Sequence, residues 1–531
     1  MHLNAAKSRV LWPRTTEPPP ELLRLCVDRG LTFERGSMEV LGAWIGVMDA
    51  QVEAAVLKAA TDHKDLFNAL AHPKMPRQLA LLLLRVCGQP RMNYLSRVTP
   101  PRVGRAGMQR FDGLVLACVQ QRMSLPAFDS TSKAYHILSM PIRAGGCGLR
   151  SYALIMHAAY LSSAASAAHL FDRAFVREQS VLAVPAPAPV PVIVPVPLSA
   201  SVPAPVPVPV PAPVPAPASV SIVRDVNECF AVVLERAMRD QSGFPQTAQA
   251  FWSQYQEPSS VPPHLQQTIV AFAELNRSKA ERENWSDSER AATLSASQRN
   301  ASAWLTVIPD EKCMRLNDPD FRAALCLRLH IAPHSHSHSQ CVCTQPLATA
   351  SFDHFYLCPQ GRKQWLFARH EQVVRCVQML AKRAGVQISL NVRHPLNADR
   401  LQPDYQIDGI HTRIIGDVVV SNPACPSKAR RSARVALAAA AAGERQKSAK
   451  YSGRAVGGYT LYHVSLESFG GVGDGVRHLI RALATEAEDG GDLGFREYSS
   501  WAFRALSVAL QVGNGLVVSG GLRCARVARG E

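Results

Sequence analysis

At 531 residues the chain is too long for one ordinary hydrophobic core, and 47% hydrophobic against 19% charged residues excludes wholesale disorder. Lys and Arg outnumber Asp and Glu by 58 to 42, a formal charge of +16, which favours a polyanionic partner such as nucleic acid or an anionic membrane surface. The start MHLNAAKSRVLWP lacks the apolar core of a secretory signal, and thirteen scattered cysteines form no disulfide framework, so a reducing compartment is expected.

Taken in chain order, residues 51–71, 76–86 and 151–171 carry apolar side chains at helical spacing with Gly and Pro between them, so the first 182 residues are predicted to be mainly α. Residues 183–222 form a linker: Pro185, Pro187, Pro189, Pro191 and ten later prolines through Pro217 alternate with Ala and Val. Proline fixes φ and lacks an amide proton, so this run is expected as polyproline II, on the order of 100 Å long at about 3.1 Å per residue. Its unpaired carbonyls rule it out as a membrane span, and no transmembrane helix is predicted. Residues 223–303 read as a helical connector, with 276–300 either flexible or helical. Residues 304–360 carry a helix and a Cys/His knuckle, 361–488 a mixed α/β core, and 489–531 a partly helical C-terminal tail.

Cys341, Cys343, His354 and Cys358 read Cys-x-Cys-x10-His-x3-Cys. Two close ligands from a turn and two more a helical turn apart can enclose one tetrahedral Zn²⁺, and four protein ligands leave no open position, so the metal is structural. An accidental cluster with His354 as a core histidine is the alternative, and His334, His336 and His338 are nearby competitors.

Downstream, residues 403–423 read PDYQIDGIHTRIIGDVVVSNP. Asp408-Gly409 is predicted as a hairpin turn and residues 414–420 as a strand, which places Asp404 and Asp417 on neighbouring strands. Converging carboxylates suit Mg²⁺ (or Mn²⁺), a hard cation that can supply hydroxide beside a phosphodiester. Residues 427–451 are predicted as one helix ending in GERQKSAKY, with Lys447 and Lys450 in its last turns and Glu444 on a similar face. Either lysine can orient a water or offset transition-state charge. Separately, each feature has an ordinary reading: turn chemistry for Asp408, pairing with Arg413 for Asp417, and complementing the helix dipole for the lysines.

Taken together, the order knuckle, Pro-Asp, twelve residues, Asp, then a helix with Lys-x-x-Lys-Tyr resembles the restriction-like endonuclease of site-specific non-LTR retrotransposons. The resemblance covers residues 310–482, including Arg369-His370 and the block YTLYHVSLESFGG that runs into a glycine-opened helix. It implies a PD-(D/E)xK nuclease domain: a small mixed sheet flanked by helices, Mg²⁺-dependent nicking of target DNA, and Asp404 and Asp417 as metal ligands. Val419 stands where the class usually has a strand lysine, so Lys447 or Lys450 is implied as the substitute, with Tyr451 as a backbone contact; Lys447 shares a helix face with both Glu444 and Tyr451.

Before the linker, LNAAKS at residues 3–8 and Val40-Leu41-Gly42 resemble the blocks that follow the catalytic Asp-Asp motif of the reverse transcriptase of such elements, and the tract to Ser163, with LLRVCGQPRMNYLSRVTPP and MPIRAGGCGLRSYALIMHAAYLSSA, resembles its thumb side. No Tyr-x-Asp-Asp-like motif is present, so no polymerase activity is expected of this chain. Arg97, Arg102 and Arg105 are candidate backbone contacts. The expected function is a DNA endonuclease in the nucleus, with element RNA a further partner and no membrane association. The alternatives are a non-catalytic nucleic-acid-binding protein, held by basic segments such as KARRSAR at residues 428–434, and an inactive mobile-element relic.

Overall fold

The computed structural model describes residues 8–12, 16–46, 48–170, 218–238, 241, 244–255, 257–333, 340–347, 350–392, 402–451, 458–491 and 493–527. Numbered in chain order, the first strands and helices are β1 (Arg9–Trp12), α1 (Pro20–Asp28), β2 (Thr32–Arg35), β3 (Ser37–Val40), β4 (Ala43–Gly46), α2 (Asp49–Thr61), α3 (Lys64–Ala71), α4 (Arg77–Leu83), α5 (Asn93–Val98), α6 (Pro101–Met123), α7 (Lys133–Ser139) and α8 (Tyr152–Ala167). These residues are mainly α as expected, with two small strand pairs, β1 with β2 and β3 with β4. Most of the predicted linker lies outside the described residues; its last part is not linker, because α9 (Ala218–Val233) begins at residue 218.

Next come α10 (Ala248–Gln254), α11 (Leu265–Glu283), α12 (Asp287–Ala296) and α13 (Asp318–Arg328). Residues 276–300 are thus largely helical. A capping box starts α12: the Ser286 hydroxyl accepts from the Glu289 amide, and the Glu289 carboxylate accepts from the Ser286 amide.

The chain forms two compact units, and they do not follow the boundaries expected from the sequence. One holds residues 1–62, 92–111 and 152–273; the other holds 63–91, 112–151 and 274–531. In the first, α5 packs on α8 and α8 on α9. There Arg102, a candidate backbone contact, is committed to ion pairs with Asp49 and the buried Asp225. In the second, segments before and after the Pro-rich run share one core: the Gln78 amide donates to the Met314 carbonyl, Arg122 pairs with Asp318, and Lys133 with Glu289.

The rest of this second unit is α14 (His354–Leu357), α15 (Arg362–Arg383), β5 (Gln387–Leu390), β6 (Tyr405–Asp408), β7 (Arg413–Gly416), β8 (Val418–Ser421), α16 (Pro426–Ser432), α17 (Ala438–Tyr451), β9 (Thr460–Leu461), β10 (Val464–Glu467), α18 (Asp474–Asp489) and α19 (Phe495–Val527). One sheet has the order β5-β6-β7-β9, antiparallel except for the parallel β7/β9 pair, and β8 pairs in parallel with β10. Helix α15 packs on β5 and β8, α17 on β8 and β10, and α18 on β10. The predicted hairpin is present: the Gly409 amide donates to the Thr412 carbonyl, and Glu486 of α18 accepts from the Ile410 and His411 amides and the Thr412 hydroxyl.

Two expectations are corrected here. Residues 427–451 are not one helix but α16 and α17, broken at Leu437, whose φ is +57°. The buried Glu467 carboxylate sets the second start, accepting from the Ala439 and Ala440 amides at 3.1 and 3.2 Å, where a helix N-terminus favours an anion. Residues 495–527 are no tail but one 33-residue helix, α19, packed against α13, α15 and α18. It is long and apolar enough to cross a membrane, yet 78% of its most apolar window is buried within the molecule, the pattern of a core helix.

Candidate functional site

The four knuckle residues come together. Cys341 opens a tight turn, in which its amide donates to the Gln345 carbonyl and the Thr344 amide donates back to the Cys341 carbonyl. His354 and Cys358 flank the short helix α14, one turn apart, with the Cys358 amide donating to the His354 carbonyl. Cys341, Cys358 and His354 are buried, and the four ligand atoms all lie within 4.8 Å of one another. The Cys341 and Cys358 sulfurs are 3.5 Å apart, and Cys343 Sγ lies 3.6 Å from His354 Nε2. A tetrahedral Zn²⁺ with Zn–S of about 2.3 Å and Zn–N of about 2.0–2.1 Å requires about 3.8 Å between sulfurs and about 3.6 Å from sulfur to nitrogen, so the cluster fits such an ion with little adjustment. The neighbouring His334, His336 and His338 lie outside the described residues.

The knuckle is built into the core of the second unit. Cys341 and Cys358 cluster with Phe355, Trp365, Phe469 and Val517. Asp353, beside His354, accepts from the Asn422 side chain at 2.9 Å, which ties the knuckle to the end of β8.

The predicted acidic cluster lies along that same strand. Strands β7 and β8 run beside β9 and β10 but break at Asp417 and His463. The Tyr462 amide donates to the Ile415 carbonyl and the Val464 amide to the Asp417 carbonyl, so the ladder resumes across the break. Gly416 makes this approach possible: a Cβ there would lie 1.7 Å from the Tyr462 carbonyl oxygen. Asp417 is thereby buried at the step, and its own amide donates to His463 Nδ1 at 3.1 Å.

Asp404, just before β6, reaches across to this step. Its Oδ2 accepts from the Val418 amide at 2.7 Å and lies 3.0 Å from His370 Nε2 on α15. Burial raises the Asp404 carboxyl, but the hydrogen bonds from His370 and Val418 outweigh it and hold the group below its ordinary value.

Helix α17 delivers the lysine. Its Gly443 packs against the Val419 side chain, and a Cβ at Gly443 would meet Val419 at 3.1 Å and Ser421 at 3.2 Å. The position that lacks a strand lysine is thus the surface on which the helix rests. One turn later, Lys447 Nζ lies 3.6 Å from Asp417 Oδ2. Tyr451, a turn further, packs its ring 5.7 Å from that of His463; burial and the two nearby aspartates push its hydroxyl well above the ordinary range.

Of the predicted site residues, Asp404, Asp417, Lys447 and Tyr451 converge. Lys450 does not join them: it is exposed and forms no ion pair among the described residues. Glu444 faces elsewhere despite its position, accepting from the Gly475 amide at 3.0 Å at the start of α18. Arg413 does not pair with Asp417; it stacks over Tyr459 and neighbours Asp408. His370 and His463 are site residues that the sequence reading gave no role. His370 lies within the quoted Arg369-His370 block, but only the packing of α15 brings it to Asp404. Comparison with the models of known families and with curated proteins finds no match.

The donor set suits a hard cation in one further respect. Among the described residues the buried Asp417 Oδ2 makes no hydrogen bond, and the Lys447 ammonium lies 3.6 Å from it. An oxygen left without a hydrogen-bond donor beside a second carboxylate is what a divalent cation takes as ligand.

Proposed function

We propose that the chain is a Mg²⁺-dependent DNA endonuclease of the kind found in site-specific non-LTR retrotransposons, and that it nicks target DNA. The observation that carries this reading is the convergence of Asp404, Asp417 and Lys447 from three separate elements onto one break in the sheet. A small mixed sheet with helices against it, the arrangement the resemblance implies, supports the same reading.

In this proposal Asp404 and Asp417 hold the cation, which would lower the pKa of a bound water and offset charge on the scissile phosphate. The chain's own groups do the rest. Lys447 sets a positive charge beside Asp417, where negative charge develops on the phosphate in the transition state. His370 and the Val418 amide fix the orientation of Asp404. Hydrolysis of one phosphodiester leaves a 3′ hydroxyl, the primer that a complete element needs. DNA is the proposed partner, element RNA a further one, and the nucleus the location the substrate demands. Zn²⁺ at the knuckle is structural, since all four positions are taken by the protein.

One observation favours the competing reading of a non-catalytic nucleic-acid-binding protein. The Lys447–Asp417 pair neutralises the site without a cation, and Arg430, Arg431 and Arg434 stand exposed on and just after α16, where phosphate contact is open to them. Plasmid nicking by the full chain in Mg²⁺ or Mn²⁺ separates the two. An Asp417-dependent nick supports the enzyme; salt-sensitive binding that survives loss of Asp404 and Asp417, without any cut, supports the binding protein or an inactive relic.

A further inference from the structure

The second unit buries two guanidinium groups, Arg328 and Arg369, that form no ion pair among the described residues. Arg328, at the end of α13, is 5% exposed, and Arg369, on α15, is 3% exposed. Arg328 donates to the Ala296 carbonyl at 3.2 Å and to the Ser302 hydroxyl; Arg369 donates to Ser468 Oγ at 3.0 Å and faces the Tyr356 ring at 5.0 Å. The Cys147 thiol beside Arg328 is pushed up to about 11 by burial despite the neighbouring cations, so it is neutral at pH 7. Arg328 is pulled down only to about 10 by burial and keeps its charge. A buried charge held only by neutral acceptors is a costly arrangement, and proteins relieve it with a counterion.

A small cavity adjoins this charge. It is lined by Trp304, Ala324, Leu327, Arg328, Ser468, Phe469 and Gln511 and has room for a single small occupant. Its polar lining offers donors. Arg328 lines the cavity, and its buried Nε has no hydrogen-bond partner among the described residues. The Gln511 carbonyl oxygen already accepts from Asn514 at 3.0 Å, which leaves its amide hydrogens as the group to be satisfied. Ser468 is engaged by Arg369 and by the Ser421 carbonyl. Water would satisfy the donors but leave the charge unbalanced.

We propose that this cavity is an anion site that takes one small monovalent anion of chloride size as the countercharge to Arg328. The site is independent of the nuclease reading.

The test is thermal unfolding of the full chain in sodium chloride against sodium gluconate at equal ionic strength, with bromide located by anomalous diffraction in crystals of the wild type. Gluconate is too large for the cavity. Saturable stabilisation by chloride of about 3 °C or more, absent in gluconate, is expected. Bromide beside Arg328 and Gln511 is expected in the map, and loss of the chloride response in Arg328→Met. Equal stabilisation in the two salts, bromide bound only elsewhere, or a folded Arg328→Met that keeps the chloride response would each overturn the proposal. If the variant does not fold, the wild-type bromide map decides.

Discussion

Lys447 of α17 and Asp417 at the β7–β8 step approach to 3.6 Å although thirty residues of chain separate them, and among the described residues the buried Oδ2 accepts no hydrogen bond. Lys450, three residues on, is exposed and forms no ion pair among the described residues. Lys447→Met is therefore expected to lower the nicking rate about 10²- to 10³-fold, the usual effect of removing one electrostatic stabiliser, while Lys450→Met leaves most of it. Single-turnover rates on supercoiled plasmid compare the two. Equal losses would remove the basis for choosing Lys447.

His370 touches Asp404 and not the proposed reaction centre itself, so its role is positioning. Loss of such an outer partner typically costs about 10- to 100-fold in metal affinity or activity. His370→Ala is expected to shift the Mg²⁺ concentration for half-maximal nicking upward, with His370→Gln partly restoring it. A rate loss with an unchanged Mg²⁺ dependence would assign His370 to the fold instead.

Purified chain should contain one Zn²⁺, measured by mass spectrometry of the metal. Because Cys341 and Cys358 sit in the same apolar cluster as Trp365 and Val517, their loss removes metal from the core as well as from the knuckle. Cys341→Ser and Cys358→Ser should abolish Zn²⁺ binding and lower Tm on the order of 10 °C, given the large share of folding free energy such sites carry. Full stability in the zinc-free variants would show that the four side chains cluster for packing alone.

Burial pushes the Asp320 carboxyl up to about 6, only partly offset by its hydrogen bond with Asn317. Its value in the unfolded chain is about 3.9. The folded state thus prefers the protonated acid, and the stability this provides is present below about pH 4 and lost as pH rises through about 6. Asp320→Asn should then stabilise the protein by about 2 kcal/mol at pH 7.5 and by almost nothing at pH 4. Denaturant titrations at the two values check the sign; stabilisation that did not depend on pH would point to packing rather than charge.

The sequence showed the parts of the site more clearly than their assembly. Cys341 to Cys358 could be read because ligand spacing is local, set by one turn and one short helix. The Asp408-Gly409 hairpin was legible for the same reason. What spacing cannot report is the capture of a backbone by a distant side chain: Glu467 starts α17 from the far side of β10, and that single contact divides a stretch whose composition reads as one helix. His370 is likewise invisible until α15 crosses Asp404. A Pro-rich run marks a break in composition, yet the Gln78–Met314 and Lys133–Glu289 contacts join chain from either side of it.

Those same contacts decide how the central claim is tested, since a piece cut at residues 301–488 would lose α4, α7, α12 and α19 from its own core. The measurement is nicking of supercoiled plasmid by the full chain in Mg²⁺, wild type against Asp417→Ala, with fold and Zn²⁺ content checked in both. The account predicts open circles from the wild type and none from the variant. A folded, zinc-loaded wild type that binds DNA but leaves it closed in both Mg²⁺ and Mn²⁺ would contradict it.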